Sequence, residues 1–444
     1  MNKLCLLFAT VFCCVFASAA TWSFVEGSTT QITDGNFVLN ISTDSSTGET
    51  TITGSDGIGV AEAVLDLRGV ETLGLNVTTT GTHSLRYTTN ITGFIGHEDL
   101  VNIGEYTFCS LSKLTEATFY GDIETINDNA FESCGALTKV TFTSVEKIKR
   151  IPSNCFAKCY AFKTISPMVF PNVTYIGASA FIKCPLTEMS LEFPEVVDMG
   201  NHAFNGCDAY KVTINKLVKG SGQYFFCDSS VKHIEMRSLI DLPDSFCKSN
   251  SKLESVIISP AVTNIGPNAF ANCSSLSKME PMKFNCVQNI GGMAFHRPIF
   301  SGVLDFSRST FTKLPSHALR TMPNLSDIIL PETLTEIATY NFVGVRSHNV
   351  ITFLGDRPKT TGNSIFGENS GNRATIRIRP KYEKSWIEGG AVSPIENHPD
   401  LKSNSAYPGD VYTIGVLDTT NDPNFAYPHW VIRVFDPPTV IRIK

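Results

Sequence analysis

Apolar residues along this chain recur in a fixed phrase: an aliphatic residue, four intervening positions, then Phe. Ile126-Asn-Asp-Asn-Ala-Phe131-Glu-Ser-Cys134 shows it in full, and it returns as Ile151…Phe156…Cys159, Ile176…Phe181…Cys184, Met199…Phe204…Cys207 and Ile265…Phe270…Cys273. Weaker copies end at Phe108, Phe226, Phe246, Phe295, Leu319, Phe342 and Phe366, so successive anchors lie 20 to 25 residues apart. A period in the twenties is the mark of a solenoid, in which each repeat is one coil stacked on the next. A second apolar group follows each anchor. Leu137, Val140 and Phe142 follow Phe131, and Leu325, Ile328 and Leu330 follow Leu319. Alternation over the last pair predicts a strand with one face inward. Gly follows the aliphatic residue at 104, 177, 200, 266 and 291, which predicts a tight turn with positive φ. Ala precedes the anchor at 130, 180, 203, 269 and 294, which suits a crowded spot. Each coil is therefore expected to hold a strand, a turn and a short helical or irregular segment carrying Ala-Phe, making a β-rich α/β solenoid.

The ends depart from this period. Residues 1–19 combine Lys3, an apolar run from Leu4 to Phe16 and the small residues Ala17-Ser-Ala19, the pattern of a signal peptide. The run is too short to span a bilayer as a helix. Residues 20–95 hold short β-rich runs (Trp22-Ser-Phe24, Asn36 to Ile41, Thr50 to Thr53) split by Asp-Gly turns, then the first coil strands. They are expected to form an N-terminal cap, since a solenoid must cover its exposed end. From about 391 to 444 the period is lost and prolines punctuate the chain. Val411 to Val416 and Trp430 to Val434 could pair as two strands there; a flexible tail is the alternative.

The pattern Leu-x-x-φ-x-φ … Ile-Gly-x-x-Ala-Phe-x-x-Cys, where φ is an apolar residue, resembles the BspA-type leucine-rich repeat family of exported bacterial and protist proteins. Asn264-Ile-Gly-Pro-Asn-Ala-Phe-Ala-Asn-Cys273 with Leu276 carries the resemblance, as does the run from Leu325 to Ile337. It covers roughly 96–390. The repeats near 219–247 and 296–320 depart from it, lacking the Ile-Gly or the Cys. The stretches Ile351 to Pro358 and Ile376 to Pro380, with Tyr382 and Trp386, resemble the closing segment of such arrays. The resemblance implies a leucine-rich-repeat array with β-strand caps, and surface or secreted binding proteins, some of them adhesive.

Charge and cysteine narrow the picture. A formal net charge of -6 argues against nucleic acid and anionic membrane surfaces as partners. Signal-peptide removal takes Cys5, Cys13 and Cys14 and leaves ten of the 13 cysteines. Five of these sit three residues after an anchor, on parallel side chains that would hold Cβ atoms too far apart for a disulfide. They are expected to be buried thiols filling one slot per coil, with disulfides as the alternative. Cys155 and Cys159 have the spacing of zinc ligands but no complementary Cys or His pair. As a nucleophile, either would be sealed from solvent. The nine histidines form no H-E-x-x-H, and neither a Gly-x-Ser-x-Gly elbow nor a P-loop occurs. No cofactor or metal is expected.

The natural binding surface is the outward strand face, with Tyr120, Lys139, Glu188, Glu192, Lys211, His233, Glu235 and Arg237 as candidates. Arg and Tyr are residue types that interface hot spots use; a plain solvated face is the competing reading. Sequons stand at Asn40, Asn76, Asn90, Asn172, Asn272 and Asn324. The leading expectation is an exported, non-enzymatic interaction module that binds an extracellular or surface protein or glycan without entering the membrane. A self-associating envelope or matrix component is the second reading. A hydrolase with a spatially assembled carboxylate pair is the third.

Overall fold

A computed structural model describes residues 19–57, 62–344 and 349–360, the strands Thr375–Ile378, Tyr412–Leu417 and Ile432–Arg433, and Tyr382 and Ser385. Residues 1–18, which carry the signal-peptide pattern, and most of the tail lie outside the described residues.

Stacking the repeats produces two rows of parallel strands. The first row is the one the alternating pattern predicts. It begins with Ala63–Asp66, Ile91–Ile95, Glu116–Phe119, Lys139–Phe142 and Thr164–Ser166. It continues through Ser190–Phe193, Lys211–Ile214, His233–Met236, Ser255–Ile258 and Lys278–Glu280. A third sheet takes in Gly302–Asp305, Leu325–Leu330, Val350–Phe353 and Thr375–Ile378, and Tyr412–Leu417 joins it antiparallel. The two interruptions fall where the chain reads Pro167-Met-Val-Phe170 and Pro281-Met-Lys-Phe284. Single parallel bridges, Val169 to Glu192 and Lys283 to Asp305, carry the pairing across them.

The second row decides between the two forms expected for the segment carrying Ala-Phe, helical or irregular, and excludes the helix. Each aliphatic residue before the anchor lies in a two-residue strand, among them Thr125–Ile126, Arg150–Ile151, Tyr175–Ile176 and Asp198–Met199. Apart from Tyr382 and Ser385, helix among the described residues is confined to one 3-10 turn, Val70–Leu73, so the fold is a β-solenoid and not α/β. The anchor turns explain why. Each holds two left-handed residues, two before and two after the anchor: Asn129 (φ 60) and Ser133 (φ 61), Asn154 (φ 54) and Lys158 (φ 60), Ser179 (φ 56) and Lys183 (φ 58). A right-handed helix cannot pass through such positions. The anchor amides bond to the next coil instead, Phe131 N to Cys155 O at 2.9 Å and Phe181 N to Ala203 O at 2.8 Å.

The anchors form a buried column. Phe108, Phe131, Phe156, Phe181, Phe204 and Phe226 stack ring on ring with centroids 4.8 to 5.5 Å apart, close to the ~4.8 Å between neighbouring strands. Phe246 breaks the column, meeting Phe226 and Phe270 edge-on at 5.8 Å. The reason is a shift of one: Phe226 N donates to Phe246 O, as other anchors do to the residue before the next anchor, and Cys247 N donates to Ala269 O. Cys247, and not Phe246, is the anchor of that coil. The cysteines after the anchors are buried free thiols. Four of the five donate to the anchor carbonyl of the preceding coil: Cys134 to Phe108 O at 2.9 Å, Cys159 to Phe131 O at 3.1 Å, Cys184 to Phe156 O at 2.8 Å and Cys273 to Cys247 O at 3.0 Å.

The glycines are also corrected. None of Gly104, Gly177, Gly200, Gly266 and Gly291 has positive φ. Each lies against the backbone of the preceding coil, where a Cβ on Gly200 would stand 2.5 Å from Ala178 N and one on Gly266 2.6 Å from Pro243 C. Glycine is needed for close approach and not for handedness. At the start, Ser23–Phe24, Gln31–Thr33, Phe37–Thr43 and Glu49–Gly57 form an antiparallel meander that pairs in parallel with Asn76–Thr80, the head of the second row. Trp22 is buried and its Nε1 donates to Asp66 O at 2.9 Å, tying the meander to the first coil.

Gly266→Ala should lower the unfolding free energy by ~2 kcal/mol or more, since neither backbone can move aside. Gly135→Ala, where a Cβ meets nothing within 4 Å, should be neutral or stabilise by ~0.4–1 kcal/mol. Denaturant titration of the two variants checks the pair; equal effects would refute the close-approach reading.

Candidate functional site

Parallel register decides which outward side chains become neighbours. Lys211 pairs with Ser190 on one side and His233 on the other; Thr213 lies between Glu192 and Glu235; His233 pairs with Ser255. Four of the eight candidates, Glu192, Lys211, His233 and Glu235, therefore share one sheet, and Arg237 lies in the turn just after the strand His233–Met236. Lys139 and Tyr120 belong to the preceding sheet, with Lys139 opposite Glu116. Glu188 is displaced. It precedes the strand Ser190–Phe193 and sits in a turn with φ 70, so it leaves the strand-face register expected for it.

The shared sheet is knitted together by charge. Glu235 accepts from Lys211 Nζ on the neighbouring strand at 2.7 Å and from Arg237 Nε, in the turn just beyond its own strand, at 2.6 Å. The Lys211 ammonium, then Arg237, hold its carboxyl below the usual carboxylate range against a raising effect of burial. His233 Nδ1 lies 2.8 Å from Ser255 Oγ, and its ring meets Tyr210 edge-on at 4.9 Å. Beneath them Thr213 Oγ1 is buried without a protein partner. Exposed ion pairs contribute little stability, ~0–1 kcal/mol each, but here they fix long side chains in a set array. Glu192 and Arg237 stay exposed at its margins.

Tyr120 belongs to a different feature. It lines an open hollow of about 680 Å³ together with Glu49, Glu98, Asp99, Asp122 and Thr143. Arg68, held to Asp66 at 2.6 Å, lies 5.9 Å from the Tyr120 ring centroid. This hollow and the supporting roles of Tyr210 and Ser255 were missed in the sequence. Glu98, Asp99 and Asp122 come from loops joining the two strand rows and Glu49 from the N-terminal meander, and no periodic signal marks them.

The cysteines fit neither zinc nor nucleophilic chemistry. Burial pushes the Cys155 and Cys159 thiols well up, away from the thiolate that either role requires. Among the described residues no group of three His, Cys, Asp or Glu side chains is placed to hold a metal ion.

The sequence matches the BspA type leucine rich repeat region in six copies, over residues 78–209, 174–299 and 312–385. The chain belongs to the BspA-type leucine-rich repeat family. Among solved structures, it resembles a leucine rich cell surface protein from Faecalibacterium prausnitzii, at 19% identity and a TM-score of 0.40 over 74% of this chain and 90% of that one. A leucine-rich repeat protein from Bacteroides ovatus matches at 16% identity and a TM-score of 0.38, over 73% of this chain and 98% of that one. No curated protein matches the chain.

Two measurements follow from this BspA-type array. The pair to Lys211 strengthens folding above the ordinary Glu range, and that contribution is lost as pH falls through the lowered pKa of Glu235. Lys211→Gln should therefore move the Glu235 titration upward towards its ordinary value in carboxyl NMR; an unmoved titration would show the pair to be unimportant. Brief alkylation of the native protein should label Cys286, exposed where the nine other described cysteines are buried. Labelling of Cys155 or Cys159 without unfolding would contradict the sealed ladder.

Proposed function

We propose that this is an exported interaction protein that holds an extracellular or surface protein on the strand face of its solenoid. The observation that carries the reading is the array of Lys211 and Glu235 on a continuous parallel sheet with Arg237 at its rim, fixed by ion pairs of 2.7 and 2.6 Å. A surface already ordered loses little side-chain entropy on binding. Alternating charge along it would choose a partner with the opposite arrangement. Membership of a repeat family built for extended binding surfaces supports the reading, as does the signal-peptide pattern at the N-terminus. Binding is favoured over catalysis because the groups offering nucleophilic chemistry, Cys155 and Cys159, are enclosed in the core.

A second reading rests on the far end. Tyr412–Leu417 and Ile432–Arg433 extend the third sheet antiparallel, and Ile432–Arg433 is its last described strand. A sheet edge is a template for pairing with another chain, which would make self-association a property of 391–444.

Purified protein screened against extracellular-matrix proteins and glycans should give one saturable, salt-sensitive interaction. Arg237→Ala should weaken it about 5- to 30-fold, as loss of a moderate hot spot does. Silence across the panel, together with oligomers that vanish on deleting 391–444, would replace this reading by the second.

A further inference from the structure

The turns that carry the anchors line up along one edge of the solenoid, away from the strand face. Over the N-terminal coils that edge is mixed in charge, with Glu105, Asp128, Glu132, Asp228 and Asp244 among its residues. From 266 to 344 it changes. The four anchor turns there, 266–273, 291–298, 315–322 and 338–344, contain no Asp or Glu. They contain His296, Arg297, His317 and Arg320.

Stacking gathers these four. Arg297 N donates to Arg320 O at 3.1 Å, Arg320 N donates to His317 O at 3.2 Å, and Asn272 N donates to His296 O at 2.7 Å. The Arg320 guanidinium stands 5.8 Å from the Tyr340 ring centroid, and the His317 ring lies against the same Tyr at 5.2 Å. Among the described residues neither arginine takes part in an ion pair, in contrast to Lys211, Arg237 and Arg68. Arg297 is exposed, and the other three are half-buried. The bonding is also incomplete: Asn272 Oδ1, His296 Nδ1 and Arg320 Nε are buried without a protein partner. Orphaned polar atoms grouped in adjacent coils call for an explanation. The charged groups acting on the two histidines are all cationic: burial first, then Arg320, Arg297 and His317, lower His296, and burial with Arg320 lowers His317. Among the described residues no ion pair neutralises either arginine.

We propose that the edge formed by His296, Arg297, His317 and Arg320 binds a tetrahedral oxyanion, a sulfate or phosphate group carried by a larger ligand. Guanidinium forks match such oxygens with paired, charge-assisted hydrogen bonds. Two arginines presented from neighbouring coils, whose backbones meet at the bond from Arg297 N to Arg320 O, offer two guanidinium groups to the oxygens of one group. The site is separate from the strand face and does not depend on what that face binds. The chain's acidic balance is no obstacle, because the charge that matters is local and short-ranged, within a Debye length of ~8–10 Å.

Calorimetry with two probes, a fully sulfated heparin hexasaccharide and inorganic phosphate, tests the proposal at low and at physiological salt. The wild type should bind at least one of them, more weakly as salt rises. Preference for the hexasaccharide would put the group on a sulfated glycan, and preference for phosphate on a phosphorylated ligand; either supports the site. Arg297→Gln with Arg320→Gln should lower affinity about ten-fold or more, while Arg237→Ala on the strand face should leave it unchanged. Arg297→Gln alone replaces an exposed side chain and should still cost about three-fold, which keeps the test decisive if the double variant folds poorly. Failure of the wild type to bind either probe at low salt, or equal affinity in wild type and variants, would overturn the proposal.

Discussion

The structure depends on one constraint: successive coils must approach to strand distance at three places at once. They do so along the first strand row, along the short second row and along the anchor turns. At the corner after the second-row strand there is room for backbone only, as Gly200 against Ala178 and Gly266 against Pro243 show. Once that approach is made, anchor amides reach the next coil and the Phe rings fall 4.8 to 5.5 Å apart. The cysteine slot then follows, because a small thiol fits beneath the preceding anchor carbonyl and can donate to it. A larger residue would hold the coils apart.

Much of this was legible in the sequence. The period, the buried anchors and the strand after each anchor all follow from spacing, because one repeat of sequence is one repeat of structure. What was not legible is local. The turn between Ile-Gly and the strand reads as either helical or irregular from its Ala-Phe content, and its left-handed pairs such as Asn129 and Ser133 exclude the helix. Those positions hold Asn, Ser, Lys, His, Tyr, Asp, Met, Arg, Thr and Gly, without a common side-chain signal, and their conformation is imposed by hydrogen bonds to the next coil. The Phe246 to Cys247 shift failed for a related reason: Phe is the strongest mark of an anchor, and only the interchain-like ladder between coils reveals that the thiol holds the position.

The site was less legible than the fold. Outward positions could be numbered from the alternation, which puts Lys211, His233 and Glu235 on neighbouring strands, whereas Arg237 falls in the turn beyond. Which residues bond to which is set by coil-to-coil register, over separations of more than twenty residues. Glu188 was misplaced by a turn, and the hollow beside Tyr120 and the cationic edge at Arg297 and Arg320 arise where separate loops meet. Both features are properties of the stack and of no single repeat.

If stacking is what stabilises each coil, a fault in the middle must separate the array into blocks. Equilibrium unfolding of Phe204→Asp, followed residue by residue with amide hydrogen exchange, tests this most directly. The account predicts that coils on the two sides of Phe204 lose protection in two distinct transitions, where the wild type shows coupled loss across both. A single transition in the variant, with protection falling equally from one end of the array to the other, would contradict it.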